Sequence, residues 1–322
     1  KVKSHELVDC DSCRLQSPPS MAAAETLRRF MKEDNITAWD ETWSQGLMRH
    51  LIVKTAFATK EVMVILVING KGIPGIEKLI RMLDDAIAET GFSLESLYMN
   101  INTEKTSAIY GRDTLLLAGR KAIHDRIGDL SFDISPLSFY QINPVMTVQL
   151  YDKVLEYARL TGTENVLDLY CGVGAIGLYC AGNAGLVLGI ESVRDAVLDA
   201  NRNAVINGIV NARFILGRAE EMLPKLLEND PEDRLDEDNV YIAQHADVVI
   251  LDPPRAGCPQ QLLEAVAQVS PSRIVYVSCD SATLARDIKI LVGMGYDFVE
   301  ATPVDMFPWT LHVETVALLV KN

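Results

Sequence analysis

The chain has 322 residues, 48% of them hydrophobic, enough for one large core or two ordinary ones, and two domains are expected. Its longest unbroken apolar run, residues 62–68, is far too short to span a bilayer, so a soluble cytoplasmic protein without a membrane partner is expected. A formal charge of -14 argues against a general polyanion-binding surface and leaves only local cationic groups for such contacts: Arg28 with Arg29, Arg49 with His50, and Arg120, Lys121, His124 and Arg126.

In chain order, residues 1–19 read as an arm that ends in the turn signal Ser17-Pro18-Pro19-Ser20. Helical spacing of Ala, Leu, Phe and Met predicts a helix over residues 21–34, with Ser20 as its cap. The β-branched runs 47–57 and 61–68 read as a hairpin around Ala58-Thr59-Lys60. A helix over 74–89 follows, with Pro74 at its start and Gly91 past its end, and then strands near 97–101, 114–117 and 130–134. Residues 20–135 are therefore expected to form a small α+β domain.

From residue 136 onward helices and strands alternate, the rhythm of a mostly parallel sheet covered on both faces. Helices are predicted over 144–160, 175–181, 193–207, 219–227, 260–269 and 282–294. The strands between them fall at 165–170, 186–191, 213–216, 247–252 and 273–278, with two more between 296 and 320. The acidic stretch 228–238 reads as a surface loop. The six cysteines are spread thinly and read as reduced thiols.

Asp168-Leu169-Tyr170-Cys171-Gly172-Val173-Gly174 joins a predicted strand to a predicted helix. Glycines there let the backbone turn tightly and present the free N–H groups of a helix start to a ligand. Glu191 ends the next strand, where its carboxylate can hold ribose hydroxyls. Taken alone this is also compatible with a dinucleotide, because Gly172, Gly174 and Gly177 satisfy G-x-G-x-x-G; the alternatives to a ligand role are that Asp168 caps the turn backbone and that Glu191 is an ordinary strand-end charge, and the pair in this context favours the ligand role. Asp168 before the glycines and the later Asp252-Pro253-Pro254-Arg255 resemble the first and fourth motifs of Rossmann-like methyltransferases, which implies S-adenosylmethionine.

Strand 273–278 delivers Cys279 to its carboxyl end, where the helix over 282–294 begins. A thiol at a helix amino terminus is expected to have a lowered pKa and high nucleophilicity at neutral pH. Ser278-Cys279-Asp280-Ser281-Ala282-Thr283-Leu284-Ala285-Arg286-Asp287, Phe307-Pro308 and His312-Val313-Glu314-Thr315-Val316 together resemble the RNA uridine-5 methyltransferase family. Asp252-Pro253-Pro254-Arg255-Ala256-Gly257 and Ser138-Phe139-Tyr140-Gln141-Ile142-Asn143-Pro144 match further motifs of that family.

The resemblance implies a Rossmann-like class I methyltransferase domain over 136–322, mostly parallel with an antiparallel C-terminal edge, preceded by the smaller α+β domain. It implies an RNA substrate, 23S ribosomal RNA or else the T-loop of transfer RNA. Cys279 would be the nucleophile and Glu314 the base; Gln141, Tyr170, Glu191 and Asp252 would join Gly172 and Gly174 around S-adenosylmethionine. Ala175 stands where some members have Asn, so one cofactor contact would be absent. The segment Ser4 to Gln16 resembles the family stretch that carries the last of four cysteine ligands to a 4Fe-4S cluster, and Cys13 fits that ligand better than Cys10. The chain is thus expected to be a fragment lacking an RNA-binding barrel and the other cluster ligands, to hold no cluster by itself, and to be a monomer. Three rivals are a methyltransferase acting on nitrogen, a nicotinamide-dependent oxidoreductase, and a non-catalytic RNA-binding module.

Overall fold

The computed structural model of the chain describes residues 12–106 and 108–322. They divide into two compact units, one ending at Ile123 and the other running from His124 to Asn322.

The first unit opens with helix α1 (Pro18–Glu33), capped by Ser17, whose Oγ accepts from the Ser20 N–H. This corrects the expected Ser20 cap by three residues. Proline lacks the N–H that a first turn leaves unbonded and has its φ preset for a helix, so the helix starts at Pro18. Strands β1 (Met48–Ala56) and β2 (Glu61–Ile68) form the expected hairpin; helix α2 (Ile76–Ala88) then crosses to β3 (Ser93–Ile101), parallel to β2, and β4 (Asp113–Gly119) returns antiparallel. The sheet order is β1-β2-β3-β4. Alternate residues Val62, Val64, Leu66, Leu97 and Met99 meet Leu27 and Phe30 of α1 and Leu79, Leu83 and Ile87 of α2 in one core.

The second unit begins with the two-stranded sheet of β5 (Ile123–Ile127) and β6 (Leu130–Ile134). The sequence reading missed β5, whose centre His124-Asp125-Arg126 hides the buried Ile123 and Ile127. It also assigned residues up to 135 to the first domain, whereas the units part after residue 123. The physical reason is that β6 lies against a helix of the second unit and is held by that helix's side chains.

After α3 (Pro144–Ala158) come β7 (Asn165–Leu169), α4 (Ala175–Ala181), β8 (Leu186–Glu191), α5 (Arg194–Ile206), β9 (Ala212–Leu216) and α6 (Ala219–Glu228). Next is α7 (Glu237–Gln244), within and beyond the stretch read as an acidic loop: Asp236 caps it through the N–H groups of Asp238 and Asn239, and Val240, Ile242 and Ala243 are buried. Strand β10 (Val248–Leu251), α8 (Gln260–Val269), β11 (Arg273–Ser278), α9 (Ser281–Gly293), β12 (Tyr296–Val304) and β13 (Glu314–Lys321) complete the unit.

The sheet order is β12-β13-β11-β10-β7-β8-β9, with β13 antiparallel to both of its neighbours, β12 and β11, and the remaining pairs parallel. The central strands β7, β10 and β11 read as near-continuous apolar runs because both of their faces are covered. This is the Rossmann-like α/β arrangement with an antiparallel C-terminal edge. Its β7, β8, β10 and β11 all end at one edge, where open α/β sheets bind ligands. Among the described residues no helix is long and apolar enough to cross a membrane.

Candidate active site

The turn after β7 is built by complementary constraints. Gly174, at φ +76°, caps α4 and has no side chain to offer; a Cβ there would lie 2.7 Å from the Phe214 ring. Asp168 does the capping instead: it is fully buried and its Oδ2 accepts from the Gly177 N–H at 2.8 Å, the third residue of the helix. Burial raises the Asp168 carboxyl to about 7, with the Glu191 carboxylate adding to the rise and the Gly177 bond opposing it. Asp168 therefore takes the role of turn cap that the sequence left open. Gly172, at φ +55°, faces open space and donates its N–H to Glu191 Oε2 at 3.1 Å; Glu191 Oε1 accepts from the Val193 N–H at 2.7 Å.

A cavity of about 730 Å³ opens above this turn and is bordered by Gln141, Tyr170, Gly172, Glu191 and Asp252 on one side and by Cys279 and Glu314 on another. The structure thus gathers the expected cofactor and catalytic residues in one place, with one exception. Gly174 does not line the cavity; its Cα is turned toward Phe214 and Ala200 in the core, so its contribution is to the turn alone. Gly217, Arg218 and Glu220, in the turn after β9 and the start of α6, also border the cavity and had no role in the sequence reading. Arg218 grips Glu220 Oε1 through Nε at 3.0 Å and Nη2 at 2.5 Å. The available signal was their place at the carboxyl end of a parallel strand.

Strand register brings the two catalytic candidates together. Antiparallel β11 and β13 pair Ser278 with Thr315, so the next pair in register is Cys279 and Glu314, at the start of β13. Opposed residues in such a ladder have Cα atoms about 4.5–5.5 Å apart. Glu314 is buried, which raises its pKa against the lowering pull of Arg255. Asp252, half-buried one residue past β10, is raised to about 8 by burial and by the carboxylates of Glu314 and Asp168.

The expectation of a lowered Cys279 pKa is overturned. Burial, followed by the nearby Glu314 carboxylate, pushes the thiol up; Arg255 pulls down and Asp252 pushes up. The helix amino terminus invoked for the thiol is occupied: Asp280 caps α9 and accepts from the Ala282 N–H at 2.9 Å and the Thr283 N–H at 3.0 Å.

The loop after β10 is clamped from α9. Asp287 Oδ2 accepts from the Cys258 N–H at 2.8 Å and the Tyr276 hydroxyl at 2.6 Å, and Oδ1 accepts from Arg286 Nε at 2.8 Å. Arg286 Nη2 in turn donates to the Ala256 carbonyl at 2.9 Å, and Thr283 Oγ1 to the Arg255 carbonyl at 3.1 Å. Gly257 (φ +73°) passes so close that a Cβ would sit 2.5 Å from Arg286 Nη2. Arg255 is thereby carried to the cavity edge, where it also approaches His312 Nδ1 at 3.4 Å.

Of the local cations, Arg120 is paired with Glu61 and Glu95, and Arg49 donates to the carbonyls of Asn102, Glu104 and Thr106. Cys13 is a half-buried free thiol, and Cys10 lies outside the described residues. Among the described residues no three His, Cys, Asp or Glu side chains are grouped to hold a metal ion.

The family model described as tRNA (Uracil-5-)-methyltransferase matches residues 41–322. A protein of Caldanaerobacter subterraneus subsp. tengcongensis named an uncharacterized RNA methyltransferase is 46% identical over 318 residues, covering 99% of this chain and 67% of its own length. One of Clostridium acetobutylicum with the same description is 42% identical over 321 residues, with coverage of 100% and 66%. The chain spans about two thirds of these relatives' length. The crystal structure of the Pyrococcus abyssi tRNA (uracil-54, C5)-methyltransferase in complex with S-adenosyl-L-homocysteine superposes with a TM-score of 0.75 at 32% identity, covering 98% of this chain and 70% of that one.

Proposed function

Because the chain belongs to the tRNA (uracil-5-)-methyltransferase family, we propose that it is an enzyme that transfers the methyl group of S-adenosylmethionine to carbon-5 of a uridine in RNA. The observation that carries this reading is the β11–β13 register, which sets Cys279 beside Glu314 at the cavity shared with Gln141, Tyr170, Glu191 and Asp252.

The cofactor fits the residues present. Gly172 leaves its side of the cavity open, and Glu191, at the end of the second strand, points a carboxylate at the same turn, as ribose hydroxyls require. When bound, S-adenosylmethionine supplies an electrophilic methyl group. Related chemistry is named for the Pyrococcus abyssi protein, which binds the demethylated product.

Carbon-5 of uracil is a poor nucleophile. Addition of the Cys279 thiolate to carbon-6 moves electron density onto carbon-5; after methylation Glu314 takes the carbon-5 proton, the carbon-5 to carbon-6 double bond re-forms, and the thiolate leaves. Glu314 suits this step because its burial raises its proton affinity above that of a solvated carboxylate. A stacked uridine cannot reach the cavity, so the target is flipped out or lies in an open loop. The substrate we expect is 23S ribosomal RNA, one of the two substrate classes that the sequence resemblance implies. The alternative is the T-loop of transfer RNA, the substrate class named for the Pyrococcus abyssi protein.

RNA carrying 5-fluorouridine at the target should remain covalently attached to the enzyme, because fluorine cannot leave as a cation. Cys279→Ala should abolish the adduct, and Glu314→Gln should accumulate one on ordinary uridine. A Cys279→Ala protein that methylates normally would rule out the covalent route. Mapping 5-methyluridine in ribosomal and transfer RNA with and without the gene decides between the substrates.

A further inference from the structure

Asp199, Asn203 and Asn207 follow one another at four-residue spacing, on α5 and at its C-cap, and so share one side of the helix. Facing them are the alternate residues 131, 133 and 135, on β6 and just past its end. The two repeats agree in length: four helical residues rise about 6 Å and two strand residues about 6.6 Å. Asn207 accepts from the Ser131 N–H at 2.8 Å and donates to the Ser131 carbonyl at 2.7 Å. Asn203 accepts from the Asp133 N–H at 2.7 Å and donates to the Asp133 carbonyl at 3.4 Å. The two side-chain amides thus replace a neighbouring strand.

The third rung is different in kind. Asp199 accepts from the Ser135 N–H at 3.0 Å, but a carboxylate has no donor to continue the ladder, and it collects the Ser135 hydroxyl at 2.5 Å and the Ser138 hydroxyl at 2.8 Å instead. These bonds turn the chain away from the strand direction just before Phe139 and Gln141, both of which border the cavity. Asn203 also reaches the Val173 carbonyl at 3.3 Å, inside the glycine turn. Asp199 and Asn203 are almost completely buried, as is Ser138. One helix face therefore grips two separate segments of the cavity wall.

We propose that Asp199 and Asn203 are positioning residues that hold residues 135–141 and the glycine turn in the arrangement that binds the cofactor, an inference that rests on the cofactor reading given above. Asn207 is the contrast: it makes an equally direct pair of bonds to β6, which does not border the cavity, and its further bond at 2.7 Å is to the Asn203 carbonyl of its own helix. A merely structural ladder would lose stability at each rung without singling out the cavity.

The test uses the whole chain in wild-type, Asp199→Ala, Asp199→Asn and Asn207→Ala forms, with amide hydrogen exchange measured without ligand and S-adenosylhomocysteine affinity measured by calorimetry. Asp199→Ala should speed exchange over residues 135–141 and weaken binding by about tenfold or more, while Asn207→Ala leaves binding within about twofold. Asp199→Asn, whose amide oxygen can still accept the three bonds that Oδ2 takes but whose amide nitrogen would face Arg202 Nη1 where Oδ1 now accepts at 3.0 Å, should lie between them and serves if the alanine variant does not fold. Unchanged exchange over 135–141 in the Asp199 variants, or equal loss of affinity at Asp199 and Asn207, overturns the proposal. A wild-type chain that binds no S-adenosylhomocysteine would count against the cofactor reading instead, and the exchange data would still decide whether Asp199 positions the loop.

Discussion

Asp287→Ala removes the clamp on the loop after β10, and its cost can be worked from the contacts. The wild-type carboxylate is fully buried and accepts from the Cys258 N–H, the Tyr276 hydroxyl and Arg286 Nε. Alanine leaves the Cys258 N–H buried without an acceptor and the Tyr276 hydroxyl with only the weak acceptor Cys258 Sγ at 3.5 Å, at about 1–3 kcal/mol each. The Arg286 side chain is 50% exposed and can turn to water, so its share is about 0–1 kcal/mol. A total of about 2–7 kcal/mol follows, with its middle at about 4 kcal/mol. For a unit of 199 residues, His124 to Asn322, this lowers the melting temperature by roughly 10 °C. Asp287→Asn keeps an oxygen toward Cys258 and Tyr276 and loses only the Arg286 bond, for about 1 kcal/mol. Scanning calorimetry of both variants tests the scheme. An alanine variant within about 1 kcal/mol of wild type, or an asparagine variant as damaged as the alanine one, would refute the assignment of the cost to the two buried donors.

Alkylation of Cys279 by iodoacetamide, followed by mass spectrometry, should be slow at pH 7 and rise through pH 9 and beyond, since burial and Glu314 raise the thiol above its ordinary value. Glu314→Gln removes one of the charges responsible, so the midpoint should move to lower pH; a midpoint that stays put would remove Glu314 from the neighbourhood of the thiol. Asp252 is protonated more readily folded, at about 8, than unfolded, at 3.8, so its stabilising contribution is complete below about pH 4 and lost as pH rises through 8. Asp252→Asn does not titrate, and its melting temperature relative to wild type should therefore climb between pH 4 and pH 8 while methyl transfer is lost. A difference independent of pH would show that Asp252 keeps an ordinary pKa.

Much of this protein was written locally in its sequence. Alternating apolar strands and capped helices fixed the Rossmann-like order, and α4, α8 and β11 begin and end where their residue patterns place them. Strand-end positions singled out Glu191, Asp252 and Cys279, because a parallel sheet presents its carboxyl ends to ligands. The elements that escaped, β5 and α7, bury few apolar residues among many charges, so periodicity had little to register.

Only the tertiary structure decided what depends on residues far apart in the chain. Glu314 became a partner of Cys279 through the register of β11 against β13, since a slip of one residue would turn it to the other face of the sheet. The direction of the thiol's pKa depended on which group took the helix amino terminus, and Asp280 took it. Gly174 proved to face the core because Phe214, forty residues later, closes over it. The Asp199-Asn203-Asn207 ladder was invisible because its spacing is that of any polar helix face until a strand of matching repeat is laid against it.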